Sequence, residues 1–247
     1  MKNLKKVVVV MPAYNAAKTL QDTYKKISMD LVDEIILVDD ASKDDTFTKA
    51  RELGLVSLRH PHNLGYGGNQ KTCYTEALAR EADIIVMIHP DGQYDPSFLK
   101  PILEPIIKGE ADVVLGSRML YKKNALKGGM PVYKFCSNIF LTFMENLILG
   151  LQLSEYHTGY RAYSRHFLAT IPFMRNSNDF VFDTQVLVQA AWFKMRIKEI
   201  PVDTIYFKEA SSVNFFNSAI YGFKTLAVLV RYLFHRFNIF RYRPLVS

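Results

Sequence analysis

Polar residues able to do chemistry recur in this chain directly after short apolar runs. Pro12-Ala13-Tyr14-Asn15 follows Val7–Met11, and Asp39-Asp40-Ala41-Ser42 follows Ile35–Val38. His89-Pro90-Asp91-Gly92-Gln93 follows Ile84–Ile88, and Ser117-Arg118 follows Val113–Gly116. Pro, Asp, Gly and Ser are also turn residues, so any one cluster reads equally well as a turn. Four clusters in the same relation to an apolar run point instead to one shared site. Asp91 is the sharpest of these residues. With Gln93 it puts two oxygen ligands on one loop, which suits Mg2+ or Mn2+ completed by a nucleotide diphosphate. His89 would add a nitrogen ligand, better tolerated by Mn2+; the competing reading is an interior histidine satisfied by its neighbours. Arg118 offers phosphate a guanidinium fork, and Arg161, in His157-Thr158-Gly159-Tyr160-Arg161, offers a second from the later half. Gly65-Tyr66-Gly67-Gly68 precedes a helical pattern, and its glycines would let backbone approach a phosphate or another loop.

The elements that must position these residues are legible up to Arg118. Val7–Met11, Ile35–Val38, Val56–Leu58, Ile84–Ile88 and Val113–Gly116 read as strands. Ala17–Ser28, Asp44–Leu53, Gly68–Ala79 and Pro96–Lys108 read as helices between them. Alternating strands and helices predict an α/β fold, a mostly parallel sheet with helices on both faces. In such a sheet, ligands bind outside the carboxyl ends of the strands, where the four clusters lie. Arg118 follows the last strand of this pattern. Beyond it, Tyr121–Met130 reads as a polar loop and Pro131–Leu151 as a long aromatic helix. Ser154–Arg165 is a polar patch, Asp183–Met195 a helix and Ile197–Phe207 one or two strands. Ser218–Phe237 is an amphipathic helix with Lys224, Arg231 and Arg236 on its polar side. We read a single domain with two functional halves, over 1–118 and 119–217, followed by the amphipathic helix and tail over 218–247.

With 247 residues, 49% hydrophobic and 22% charged, the chain is globular. A net charge of +7 favours acidic partners. No zinc-finger spacing or RNP-type aromatic signature is present, so phosphates and a membrane surface rank above nucleic acid. The basic amphipathic C-terminal helix suits peripheral association with an anionic membrane; the alternative is that it packs on the domain. Met1–Lys6 runs straight into a strand without a signal-peptide core, and no run approaches the ~18–20 apolar residues of a membrane span. These features predict a cytoplasmic protein at the cytoplasmic face of a membrane, with a homo-oligomer left open. Cys73 and Cys136 read as two buried thiols in a reduced compartment. A Walker A lysine, a serine nucleophile elbow and a zinc-protease motif are all missing.

In order and spacing, these positions resemble the family 2 glycosyltransferases, especially the dolichyl- and polyprenyl-phosphate sugar synthases. The carriers are Met11-Pro12-Ala13-Tyr14-Asn15, the run Val38–Thr46, Asn63-Leu64-Gly65, Asp91-Gly92-Gln93 and Gly116-Ser117-Arg118. The resemblance extends from about Val7 to Ser212 and implies a GT-A fold with a nucleotide-diphosphate-sugar donor. It places Pro12, Tyr14 and Asp39 at the nucleoside with Asp40 close by, Ala13 and Asn15 belonging to the same loop set. Asp91 and Gln93 would take the metal and diphosphate, and Arg118 would face the phosphates. Thr158-Gly159-Tyr160-Arg161 matches a segment near the acceptor. The chain departs from the family at His89, usually Asp, at Ala16, usually Glu, and at Tyr66, often Lys. A later basic pair is reduced to Lys208 and Ser211-Ser212-Val213, which leaves donor choice open.

The expected reaction is an inverting transfer with Asp91, Arg118, Arg161 and Asp183 as the catalytic set. The metal and Arg118 would stabilise the departing diphosphate. A lipid-phosphate acceptor is already anionic and would be positioned by Arg161. A hydroxyl acceptor would need a base from Glu155, Asp179, Asp183 or His157, each of which could instead be structural. The alternatives are a soluble transferase acting on a glycan hydroxyl and a sugar-nucleotide-binding protein that has lost catalysis. A nucleotidyltransferase would need a Gly-rich, basic first loop, which Pro12–Asn15 is not.

Overall fold

The computed structural model describes residues 5–204 and 215–246. Lys208 and Ser211-Ser212-Val213 therefore lie outside the described residues. The strands are β1 (Val7–Ala13), β2 (Glu34–Asp39), β3 (Val56–Arg59), β4 (Ile84–Met87), β5 (Val113–Ser117), β6 (Arg161–Ser164) and β7 (Ile197–Pro201). They form one sheet in the order β3-β2-β1-β4-β6-β5-β7. Every pairing is parallel except those of β6, which runs antiparallel to both β4 and β5.

The β-branched run Val7–Val10 shows why the sheet is buried on both sides. Val8 and Val10 point into one apolar core and Val7 and Val9 into the other. Ile85 and Met87 oppose Ile84 and Val86 in the same way. A strand covered on both faces needs no polar alternation, which is why these segments read as continuous apolar runs. The helices α1 (Leu20–Lys25), α2 (Thr46–Glu52), α3 (Tyr66–Ala79) and α4 (Leu99–Ile107) connect the first strands.

The second half departs from expectation in three places. Tyr121–Met130 contains a short helix, α5 (Lys122–Lys127). The patch Ser154–Arg165 holds β6, so Arg118 does not follow the last strand: β6 and β7 extend the sheet beyond it. Four residues opening on a fully buried Arg161 give neither an apolar run nor clean alternation, and this hid the strand. Cys73 is buried as expected, but Cys136 is exposed. The remaining helices are α6 (Val132–Leu149), α7 (Arg165–Thr170), α8 (Phe182–Trp192) and α9 (Phe215–Arg236).

Helices α6 and α9 pack on each other beside the carboxyl edge of the sheet. On α9, Thr225, Val228, Leu229 and Tyr232 are buried, so one face of this helix covers the domain's own core. Its other face leaves Phe223, Val230 and Phe234 exposed, and Phe237, just past the helix, is exposed as well. Helix α6 is patterned in the unusual sense. Its inward stripe carries Asn138, Thr142 and Glu145, all buried, at helical spacing. Its outward stripe carries Phe140, Phe143 and Leu147, all more than half exposed.

Candidate active site

A cleft of about 580 Å³ opens at the carboxyl edge of β1 and β4 and is closed on the far side by α6 and α9. Its first wall is the end of β1, with Pro12, Ala13 and the exposed Tyr14. Asn15 does not line it. With φ of 52°, Asn15 turns the chain, donates its amide to Ser42 Oγ (2.8 Å) and accepts from the Lys43 amide (2.9 Å). It thus ties the loop after β1 to the loop after β2.

The two aspartates after β2 differ. Asp39 is fully buried behind the cleft, where its Oδ2 lies 3.1 Å from Arg59 Nε and its Oδ1 accepts from the Ser42 amide. Asp40 borders the cleft. Its carboxylate accepts the amides of Leu64 (2.8 Å) and Gly65 (3.0 Å) and contacts His60 Nδ1 (2.7 Å). It therefore holds the loop leading to α3. The glycines of that loop meet protein rather than open space. A Cβ on Gly65 would fall 2.6 Å from the Asn178 carbonyl and one on Gly67 2.5 Å from that of Ser177. Of the two approaches the glycines permit, the one taken is by the loop before α8.

The loop after β4 supplies His89, Asp91 and Gln93 to the cleft. Asp91 Oδ1 accepts the Gln93 amide at 3.0 Å. Burial pushes the Asp91 carboxyl above its ordinary range, partly offset by His89 nearby and by that amide. His89 stacks on Tyr66 with centroids 5.5 Å apart, and its Nε2 is 3.2 Å from the Tyr66 hydroxyl. Tyr66 in turn donates to Asp183 Oδ2 at 2.8 Å. Burial, then Asp183, drives the Tyr66 hydroxyl well above its usual pKa. Among the described residues, no three His, Cys, Asp or Glu side chains are arranged to hold a metal ion by themselves. Asp91 and its neighbours do fit an ion that takes most of its oxygens from a diphosphate and water.

Arg118 lines the opposite wall, clamped by a fully buried Glu155. Its Nε donates to Glu155 Oε1 (2.9 Å), its Nη2 bonds Glu155 and the His157 carbonyl, and its amide donates to Glu155 Oε2 (2.8 Å). Burial acts to raise the Glu155 carboxyl, but Arg118 outweighs it and holds it below the usual range. Arg161 does not reach the cleft. Fully buried, its guanidinium donates to the carbonyls of Thr158 (2.7 Å), Tyr156 (2.9 Å) and Asp183 (3.3 Å) and pairs with Asp183 Oδ2 at 3.4 Å. The expected contact between Arg161 and an acceptor phosphate gives way to a structural role. Strand β6 turns the side chain into the interior, where it secures the loop before it and the start of α8.

Asp183, in the first turn of α8, does line the cleft. Its Oδ1 also accepts from Gln70 Nε2 at 3.2 Å. Glu155 and Asp179 are likewise taken up, Asp179 by Lys224, Ser177 and the Val181 amide. His157 Nδ1 contacts the Tyr221 hydroxyl (2.8 Å), and its Nε2 is 3.2 Å from the buried Glu145. Sequence reasoning passed over Lys134, Ser137 and Asn138, which bring one face of α6 to the cleft, and Tyr221 of α9. A lysine one helical turn before a buried asparagine, inside an aromatic helix, was the available signal. Burial, and then Arg118 nearby, lower the Lys134 pKa.

Residues 8–171 match the family described as Glycosyl transferase family 2. An uncharacterised protein of Methanocaldococcus jannaschii is 31% identical over 228 residues, 92% of each chain. A UDP-N-acetylglucosamine–dolichyl-phosphate N-acetylglucosaminyltransferase of Methanococcus voltae is 29% identical over 82% of this chain and 86% of its own. An undecaprenyl-phosphate mannosyltransferase of Micrococcus luteus is 30% identical over 80% and 82%. Among solved structures, glucosyl-3-phosphoglycerate synthase of Mycobacterium tuberculosis with phosphoglyceric acid superposes with a TM-score of 0.72 at 22% identity, over 94% of this chain and 81% of that one. The same enzyme with Mn2+, UDP and glucosyl-3-phosphoglycerate gives 0.69 at 20% identity, over the same shares. The fold is thus GT-A, and the chain belongs to glycosyltransferase family 2.

Proposed function

We propose that this enzyme is an inverting transferase that moves a sugar from a nucleotide-diphosphate sugar to a polyprenyl- or dolichyl-type lipid phosphate at a membrane surface. The carrying observation is the state of the four candidate bases. Asp179, Asp183, Glu155 and His157 each bond protein partners, so a base for a hydroxyl acceptor would have to be shared with the fold. An acceptor that arrives as an anion needs no base, and Lys134 and Arg118 give it a cationic wall. The names of the relatives from Methanococcus voltae and Micrococcus luteus agree with this acceptor class.

In this reading the nucleoside lies against Pro12, Ala13 and Tyr14, with the diphosphate toward Asp91 and Gln93. A divalent cation held by Asp91, with His89 and Gln93 as further ligands, would neutralise charge on the diphosphate. The solved relative with Mn2+ and UDP has the same fold. One oxygen of the acceptor phosphate attacks the anomeric carbon from the face opposite the nucleotide. The bond from that carbon to the diphosphate breaks, and the electron pair leaves with the nucleotide. Lys134 holds the acceptor phosphate, and Arg118, kept in place by Glu155, sets the positive field of the wall.

With a panel of acceptors, transfer should proceed to a short-chain polyprenyl phosphate and not to a glycan hydroxyl, with inversion read by NMR of the product. Lys134→Ala should raise KM for the lipid phosphate about tenfold, the worth of one charge-assisted hydrogen bond, and leave donor KM alone. Transfer to a hydroxyl acceptor at a rate equal to that on the lipid phosphate would overturn the reading.

Membrane contact is the second expectation, and the fold alters which residues carry it. Leu226 and Leu233 pack on the core, and Lys224, though exposed, already pairs with Asp179. Phe223 of α9 and Phe237 just after it remain exposed, joined by Phe140, Phe143 and Leu147 of α6, with Arg231 and Arg236 also exposed. No helix among the described residues is long and apolar enough to cross a membrane. The protein should co-sediment with anionic vesicles at low salt and less at high salt, each basic residue near the surface being worth ~1 kcal/mol. Phe143→Ser with Leu147→Ser should weaken binding without lowering the melting temperature. No co-sedimentation at any salt concentration would remove the membrane from the proposal.

A further inference from the structure

Two residues that line the cleft, His89 and Tyr66, touch each other. His89 and Tyr66 are stacked, and the phenol oxygen sits between His89 Nε2 (3.2 Å) and Asp183 Oδ2 (2.8 Å). A proton count decides what this contact means. Tyr66 has one hydroxyl hydrogen, and an ionised carboxylate can only accept. Asp183 takes that hydrogen, while Gln70 and Arg161 approach it as further donors. The phenol oxygen then has only lone pairs to offer His89. A hydrogen bond between them requires that His89 Nε2 carry the hydrogen. The neutral imidazole is therefore the Nε2–H tautomer, with its lone pair on Nδ1. In the other tautomer two lone pairs would face each other across 3.2 Å.

The surroundings hold this arrangement. Gly159 lies against the Cδ2–Nε2 side of the ring, where a Cβ would come within 2.9 Å of Cδ2. Antiparallel β6 puts that glycine there, because Arg161 pairs with Met87 at the end of β4. Phe180 packs on Tyr66 from the loop before α8, with centroids 4.7 Å apart. His89 and Asp91 line the cleft together on one loop.

We propose that Tyr66, anchored by Asp183, is a positioning residue that fixes His89 as the Nε2–H tautomer, so that Nδ1 is the nitrogen offered to a divalent cation beside Asp91. The inference rests on the reading of the cleft as a site for a metal-bound nucleoside diphosphate. Ligating imidazoles commonly donate the other ring N–H to an oxygen acceptor, which fixes tautomer and orientation. The cation would then meet a nitrogen ligand at His89 that a phenol already orients. Mn2+ accepts such a ligand more readily than Mg2+.

The test has two readouts. In protein labelled with 15N-histidine, long-range proton–nitrogen correlations at about pH 8, above the ordinary imidazole range, report the tautomer without any metal. His89, assigned through its loss in His89→Gln, should show the Nε2–H pattern, and Tyr66→Phe should shift it toward a mixture. An Nδ1–H pattern in the parent protein overturns the proposal. In the second arm Mn2+ is added with UDP, and in a parallel series with GDP. Pulsed EPR should find a nitrogen directly coupled to Mn2+ that vanishes in His89→Gln. Tyr66→Phe should weaken Mn2+ binding about 10–100-fold, the usual cost of losing such a support. Mn2+ and nucleotide bound with no nitrogen coupling, or with unchanged affinity in Tyr66→Phe, sinks this inference and leaves the reading of the cleft standing. Failure of both nucleotides to bind, with or without Mn2+, sinks both.

Discussion

Asp91→Asn should yield a folded protein whose transfer rate falls about a thousandfold, the equivalent of some 4 kcal/mol of transition-state stabilisation. The substitution keeps the shape of the side chain and removes its charge. Asn still offers an oxygen to the Gln93 amide, the hydrogen bond that shapes the loop after β4. Stability should stay within ~0.5 kcal/mol or rise slightly, because burial already works against the charged carboxylate. A residue that costs stability and is needed for turnover is serving the ligand rather than the fold. The pairing of unchanged melting with lost transfer is the result to look for. A folded Asp91→Asn enzyme with near-normal activity would remove Asp91 from the reaction. A large drop in melting temperature would assign it to the fold instead. Nucleotide binding without metal should persist in the variant, since Pro12, Ala13 and Tyr14 are untouched.

The sheet was legible where burial is two-sided. β1, β2, β4 and β5 carry unbroken apolar runs because both faces are covered, and the polar clusters after them fall at one edge as such a sheet requires. Pro12, Ala13, Tyr14, Asp40, His89, Asp91, Gln93, Arg118 and Asp183 do border one cleft. Asn15, Asp39 and Arg161 do not. Their types suited ligand binding, but each is used by the protein itself: a turn, an ion pair with Arg59, and a buried clamp on Asp183. Sequence has no periodic mark for such compensation. The partners of Arg118 and Tyr66 lie 37 and 117 positions away. Helix α6 was legible as a long aromatic helix, but the sense of its faces was not: its polar stripe faces inward, bringing Lys134 and Asn138 to the cleft, and its aromatic stripe faces outward.

Glu155→Ala should cost about 3–5 kcal/mol of stability, because it strands the Arg118 guanidinium in a mostly buried site. In a chain of this size that lowers the melting temperature by roughly 6–20 °C. The same carboxylate also accepts from Asn138 of α6 at 2.8 Å, so the wall of the cleft should loosen with it and transfer should fall. The pH dependence has a definite sign. The folded-state pKa of Glu155 lies below its ordinary value of 4.5. Its contribution is therefore complete above that unfolded value and is lost as pH falls through the lower folded one. The parent should destabilise on acidification through this window, and Glu155→Gln should respond more weakly. Packing loss alone would give the melting result but not the pH result. A double variant separates them further. Arg118→Met in the Glu155→Ala background removes the orphaned charge, and it should recover part of the lost stability while activity stays low. If the double variant is less stable than Glu155→Ala by the full cost of Arg118→Met alone, the two residues are not coupled. The clamp then plays no part in holding the cationic wall.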